Sequence, residues 1–445
     1  MSRRQLSPPL PYDPSIERRE PREEETAAKL RAHIRSIQTK TLRHNGHASR
    51  GLHNKSHALL EGTLHVLPGL PEPLAQGLFA KPGRYPVVMR LSTNRGDVID
   101  DDISVPRGMA IKVIGVDGPR LPGSERDRTQ DFIMVNQPAF TEQDLRVFLR
   151  NLSFVDATTQ AGQWWKKALG ALLRPPVAAA KALGATAATL TTMGGHPLTH
   201  PLGESFYTQV PFRHGRYVAK LSLAPVSPAL KALHDKRVDL SRPNGLREAV
   251  VDFFRTHGAE WELRVQLRTD ARTMPIEDAS AEWPENESPY RPVARIVVPP
   301  QPAWSEARAQ QVDDGLAFSP WHGLEAHRPL GSVNRARLHS YADGAQFRAE
   351  HNRCPIHEPR SRVALARAPA EAYSRAPGRE GRRPGTPDEG RLPGTPDALR
   401  HEERELVPMG GSNRTVGLVV LAGVLLGAVS LGLDAQRARA GANGR

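Results

Sequence analysis

An α+β fold, an antiparallel β-barrel with helices outside it, is predicted by two features of the 445-residue sequence. Short stretches of alternating apolar residues recur at 86–93, 131–140, 217–223, 261–267 and 294–298. In the fourth, Trp261, Leu263, Val265 and Leu267 repeat with the period of two that buries one face of a strand. Half-buried strands separated by turns close on themselves more readily than they stack as open sheets. The second feature is a pair of helical patterns. Residues 23–43 begin with Glu23, Glu24 and Glu25 at the positive end of a helix dipole, carry Leu30, Ile34 and Ile37 as an apolar stripe, and end in basic residues. Residues 334–349 contain no Pro and one late Gly, and read as a second helix.

The chain has room for a core of roughly 300 residues plus appendages. Lys and Arg number 61 against 48 Asp and Glu, a net charge of +13. The excess is mostly Arg in the Pro/Gly-rich C-terminal part, and no nucleic-acid-binding pattern accompanies it, so no nucleic-acid partner is expected. A single cysteine, Cys354, excludes an intramolecular disulfide framework and a cysteine-based zinc site.

Taken in order, residues 1 to about 22 are rich in Pro and charge and lack the apolar stretch of a secretory signal, so they are expected to be poorly ordered. A run from His44 to Val66 holds His44, His47, His53 and His57, with no carboxylate or Cys at ligand spacing to make a zinc site of them. Residues 160–192 are rich in Ala and Leu, carry Trp164 and Trp165 beside Lys166 and Lys167, and are broken by Pro175 and Pro176. They read as an interfacial helical hairpin or as an ordinary helical cover for the barrel. After Cys354 the composition is that of an extended basic linker, with Pro-Gly-Thr-Pro-Asp at 384–388 and again at 393–397. Residues 415–433 are uncharged and long enough to cross a bilayer, bracketed by Arg414 and by Arg437 and Arg439. A buried core helix is the other reading. Following a linker, the segment is expected to be a single-pass membrane anchor that leaves the preceding domain on the cytoplasmic side.

The chemistry is concentrated in 328–348, RPLGSVNRARLHSYADGAQFR. On a helix, Arg337 and Tyr341 fall one turn apart on one face, and Arg348 lies two turns beyond Tyr341. A guanidinium beside a phenol favours the phenolate, a hard anionic ligand suited to ferric iron. Arg348 offers a fixed fork for a carboxylate. Spacing alone is equally met by an amphipathic helix with a half-buried Tyr and two solvated Args.

Arg337, Tyr341, Asp343 and Arg348 resemble the proximal haem signature of the catalase family, and FSPWHGLEAHRPLGSVN upstream is similar to the segment that leads into it. Further motifs resemble the same family in the same order: Arg50-Gly51-Leu52-His53-Asn54-Lys55, PVVMRLST at 86–93, and VPRGMAIK at 105–112. The resemblance covers residues 40 to 353. It implies a catalase-like antiparallel β-barrel around a buried haem b, with Tyr341 as axial iron ligand held as phenolate by Arg337, and with Arg50, Arg90 and Arg348 on the haem propionates. It implies His53 as the distal acid–base, oriented by Ser92, moving a proton between the two oxygens of hydrogen peroxide so that the O–O bond breaks and a ferryl species forms. Counting back from Pro138 for the family's distal Asn gives Arg128, Thr129, Gln130 and Asp131, so Thr129 or Gln130 is the expected donor to peroxide.

The implied activity is peroxide consumption, 2 H2O2 to O2 and 2 H2O. The alternatives are a haem peroxidase for organic or lipid hydroperoxides and a non-enzymatic membrane-tethered haem-binding protein. The expected partners are hydrogen peroxide or a small hydroperoxide and a membrane, with homo-oligomerisation compatible. The expected boundaries are a charged arm and the start of a packing helix at 1–38, a haem domain at 39–353, a disordered Pro/Gly/Arg-rich linker at 354–413 and an anchor with a basic tail at 414–445.

Overall fold

The computed structural model describes residues 7–158 and 196–367, which belong to one compact unit. The segments expected to form the 160–192 insertion and the 415–433 anchor lie outside the described residues. Among the described residues no helix is long and apolar enough to cross a membrane.

Among the described residues nine strands form one antiparallel sheet: β1 (Ser56–Val66), β2 (Gly83–Thr93), β3 (Arg107–Ile114), β4 (Thr129–Val135), β5 (Phe206–Tyr207), β6 (Phe212–His214), β7 (Tyr217–Pro225), β8 (Ala259–Leu267) and β9 (Arg291–Val298). The order β5-β4-β3-β2-β1-β9-β8-β7 closes because β5 also pairs with β7, Phe206 opposite Leu223, giving an eight-stranded barrel with β6 as a short hairpin partner of β7. The helices are α1 (Glu23–Asn45), α2 (Leu145–Thr158), α3 (Pro228–Lys231), α4 (Gly245–Thr256), α5 (Glu306–Ala309) and α6 (Ser332–Asn352). The predicted 23–43 and 334–349 helices are therefore α1 and α6, each extended by a few residues. Gly46 stops α1 in the left-handed conformation, its N–H on Leu42 O at 2.8 Å.

Alternation assigns the two faces of the wall. Leu60, Leu64, Met89, Met109, Ile111, Phe132, Met134, Trp261, Leu263, Val265, Leu221, Leu223 and Ile296 are all buried and pair across neighbouring strands, so they fill the barrel interior. The outer face of β1 to β4 carries Leu59, Val88, Arg90, Ser92, Gly108, Lys112 and Asp131 by the same parity. It is covered by the 304–318 segment and by residues after α6: Leu59, Val88 and Ile114 pack with Val312, Leu316, Phe318 and Leu365. A strand wall with one filled interior face and one covered outer face leaves the outer face for polar function.

Two expectations are corrected. The arm before α1, within the described residues, docks on the barrel because it buries apolar side chains and pairs its backbone. Pro11 bridges Tyr217, and Tyr12 and Ile16 pack with Val218, Met274, Ile276, Trp283 and Leu330. Arg335 of α6 then gathers Glu17, Glu23 and Glu277 at 2.8, 2.7 and 3.0 Å, which ties arm, α1 and α6 together. The segment after Cys354 begins as a strap on the barrel rather than a linker. Leu365 is 4% exposed, and Ala366 accepts from Arg308 at 2.7 Å and donates to Gln311 at 2.7 Å.

Candidate functional site

His53 sits in the tight segment that leads into β1, with a left-handed φ of 53° that a side-chain-bearing residue rarely adopts. Three backbone anchors hold it there. Its N–H donates to Asn94 O at 3.2 Å, and Arg90 donates Nη1 to His53 O and Nη2 to Asn54 O, each at 2.8 Å. The ring lies over the β2–β3 pair Ser92 and Gly108: Ser92 Oγ is 3.3 Å from Nδ1, and a Cβ at residue 108 would come within 2.4 Å of Nδ1. Only a glycine at 108 leaves room for this ring. Burial, with the nearby charges of Arg90, Arg337 and Arg50, lowers the His53 pKa to about 3, so the imidazole is neutral and able to accept a proton.

Arg50, Arg90 and Arg348 converge on a turn at Gln310–Asp314 that sequence reasoning did not single out. This turn is π-helical, with Gly315 N–H bonded to Gln310 O at 3.1 Å. Arg50 donates to Asp313 O and Oδ1 at 2.8 and 3.1 Å and to Leu316 O at 3.1 Å. Arg348 donates to Asp313 O at 2.5 Å, and Arg90 Nε to Asp313 Oδ1 at 2.6 Å. Burial tends to raise the Asp313 pKa, but Arg90 and Arg50 outweigh it and hold the carboxyl below its usual range.

Three guanidiniums face Asp313, with Asp314 the next carboxylate and itself paired with His47, so the cluster stays short of negative charge, and two observations register this. Arg348 Nε is buried without an acceptor. Arg50 is pushed well down, first by burial and then by repulsion from Arg348 and Arg90, and Arg348 is lowered to about 10 with burial as the largest cause. A cofactor with two carboxylates suits this donor set. On α6, among the described residues, the half-buried Tyr341 has no hydrogen-bond partner, so its oxygen is available as a ligand. Arg337 is engaged elsewhere: Nη1 donates to Asn334 Oδ1 at 3.2 Å, and the guanidinium carbon lies 5.8 Å from the Phe140 ring centre. Asp343 lies 3.7 Å from Arg31 Nε in an exposed pair.

Thr129 and Gln130 are not brought to His53. Register sets Gly108, under His53, opposite Val135, whereas Gln130 pairs with Val113 five residues back along β4, roughly 17 Å away. Both side chains are engaged elsewhere. Thr129 Oγ1 donates to Glu358, and Gln130 Oε1 accepts from Leu324 N–H at 2.9 Å while Nε2 donates to Asp131 O at 3.1 Å. The amide at the His53 end of β4 is Asn136. Its Oδ1 accepts from Arg107 N–H at 2.8 Å, and its Nδ2 donates to Glu204 at 2.5 Å and lies 2.8 Å from His196 Nε2. Its position next to Val135 is the signal that could have found it, had the strand end been known.

The other histidines of the 44–66 run diverge. His47 pairs with Asp314 at 2.9 Å, and His57 is fully buried with neither ring nitrogen bonded. Asp131, His322 and Glu358 form a group with ligand atoms within 4.8 Å of one another. Lys112 Nζ already fills it, at 2.9 Å from both Asp131 oxygens and in contact with Glu358.

Among solved structures the chain is similar to a fungal catalase, to catalase A from Saccharomyces cerevisiae and to a bacterial catalase. Identity is 17% and the TM-score 0.49 in each case; the matches cover 84% of this chain and 74%, 77% and 76% of those chains respectively. No protein-family model and no curated protein matches the chain.

Proposed function

We propose that the chain is a haem-dependent peroxide-consuming enzyme whose site lies on the outer wall of the barrel beside the 310–314 turn. The observation that carries this reading is one arrangement: an under-neutralised trio of arginines, Arg50, Arg90 and Arg348, whose Arg90 also grips the backbone of a neutral histidine aligned by Ser92. In this reading Arg50, Arg90 and Arg348 hold the carboxylates of haem b and Tyr341 supplies the axial oxygen. When bound, the haem iron supplies the two-electron redox chemistry that peroxide cleavage needs. His53 takes the proton of peroxide at one ring nitrogen and returns it to the departing oxygen. The Ser92 hydroxyl holds the ring, and Arg90 holds the backbone that carries it. A simple haem carrier has no need of a strained, hydrogen-bonded base at this point.

A second reading, a peroxidase for organic or lipid hydroperoxides, is favoured by the face around His53. Ser92, Gly108 and Val135 line it, and the amide at this end of β4, Asn136, is spent on Arg107, Glu204 and His196. The sequence of residues 415–433 supports membrane tethering as part of the same proposal. Pelleting of the full chain with membranes, and its loss on truncation before Arg414, tests that part.

The experiment for the main reading is the visible spectrum of the purified chain before and after Tyr341→Phe, alongside oxygen evolution from hydrogen peroxide. A phenolate-type ferric spectrum lost in the variant is expected. An unchanged Soret band in Tyr341→Phe refutes the ligand assignment, and a chain that takes up no haem refutes the function.

A further inference from the structure

We infer that Asp313 is a positioning residue for His53, acting through Arg90; the inference rests on the reading of His53 as the distal base. Asp313 occupies a costly position. It lies at the end of the continuous helical run made by α5 and the π-turn, where backbone carbonyls already concentrate negative charge. A buried carboxylate there opposes the helix dipole and must be desolvated, a cost that only the neighbouring Arg90 and Arg50 outweigh. Arg50 and Arg348 cap the carbonyls of Val312, Asp313 and Leu316, and Arg50 also reaches Oδ1 of the carboxylate at 3.1 Å.

The shorter of the two arginine bonds to the carboxylate fixes Arg90. Oδ1 accepts from Arg90 Nε at 2.6 Å, and Oδ2 accepts from Ser56 Oγ at 2.7 Å, which is itself held by Trp304 Nε1 at 3.0 Å. With Nε pinned, the planar guanidinium presents Nη1 and Nη2 to His53 O and Asn54 O at 2.8 Å each. Those two carbonyls belong to the segment whose left-handed residue aims the imidazole at Ser92. Asp313 therefore sets the plane of Arg90, and Arg90 sets the backbone of His53. The cofactor's carboxylates and the catalytic histidine then share one arginine, which links occupancy of the anion site to the aim of the base.

The test is hydrogen exchange of the backbone around residues 50–56 in the full-length chain without haem, for wild type, Asp313→Asn, Asp313→Glu, Arg90→Lys and the Asp313→Asn/Arg90→Lys pair. Circular dichroism establishes that each is folded. Asp313→Asn is expected to speed exchange in this segment by about tenfold, Asp313→Glu to restore much of the protection, and Arg90→Lys to match Asp313→Asn with no further increase in the double variant. Wild-type protection in Asp313→Asn, or additive losses in the pair, overturns the inference. Cyanide association with the haem-loaded chain gives a second reading, expected to slow by about tenfold in Asp313→Asn with the Soret band unchanged. A wild-type chain that binds no haem defeats the proposed function, while exchange still decides whether Asp313 positions residue 53.

Discussion

At the scale of single residues, what distinguishes the site is how little freedom its parts retain. His53 is bonded through its N–H, its carbonyl and its ring, and Gly108 leaves the ring just enough space. Removing the ring should spare the arginine trio: His53→Ala is expected to keep haem uptake and lose 10² to 10⁴-fold, roughly, of peroxide turnover, measured as initial oxygen release or hydroperoxide reduction. Turnover within a factor of two of wild type would move the base elsewhere. The Gln130 side chain is satisfied by Leu324 and Asp131, and Gly323 packs against it. Gln130→Asn is one methylene too short for those bonds, so it should lower stability by about 1–2 kcal/mol and leave turnover unimproved. A gain in oxygen release would show that β4 reaches the site in another register.

At the scale of elements, motifs that sit within one turn or one strand were legible and contacts made by irregular segments were not. Arg50, His53, Arg90, Ser92 and Arg348 were singled out because each lies in a short contiguous pattern, and the structure sets the three arginines on Asp313 and Ser92 against His53. Sequence shows that a strand is present before Pro138 but not which end meets His53; β4 stops at Val135, so Thr129 and Gln130, counted back, fall at its far end. Asp313 was invisible because the turn that presents it carries one extra residue and no composition signal. The arm and the strap read as disordered from Pro and charge, yet a few apolar side chains in each suffice to dock them. For the strap this is testable. Leu365→Ala removes a side chain packed with Val312, Leu316 and Phe318 and should cost about 2–4 kcal/mol in urea unfolding. A cost near zero would mean that the strap is only loosely laid on the barrel.

At the scale of the whole molecule, acid sensitivity follows from its buried histidines. Burial lowers His53 and His196 to about 3 and His200 and His214 to about 4, and holds His57 and His327 well below the ordinary value. The unfolded chain binds protons at these groups near pH 6.5 while the folded chain does not. Their contribution is therefore complete above that pH and is lost as pH falls toward 4, by up to about 1.4 kcal/mol per unit for each group. Asp313, depressed in the folded state, adds to the loss only below about pH 4. The urea midpoint without haem should thus drop between pH 7 and pH 5, and an unchanged midpoint would mean that these imidazoles are protonated in the fold. The strap has a mechanical consequence as well. A pull on the chain beyond Arg367 is borne first by Leu365 and the Ala366 bonds, then by Glu358 against Lys112, and only afterwards by α6 with Tyr341 and Arg348. Those contacts act as a strain relief, so traction on whatever follows is spent in peeling the strap before it can tilt the helix that would carry the iron ligand.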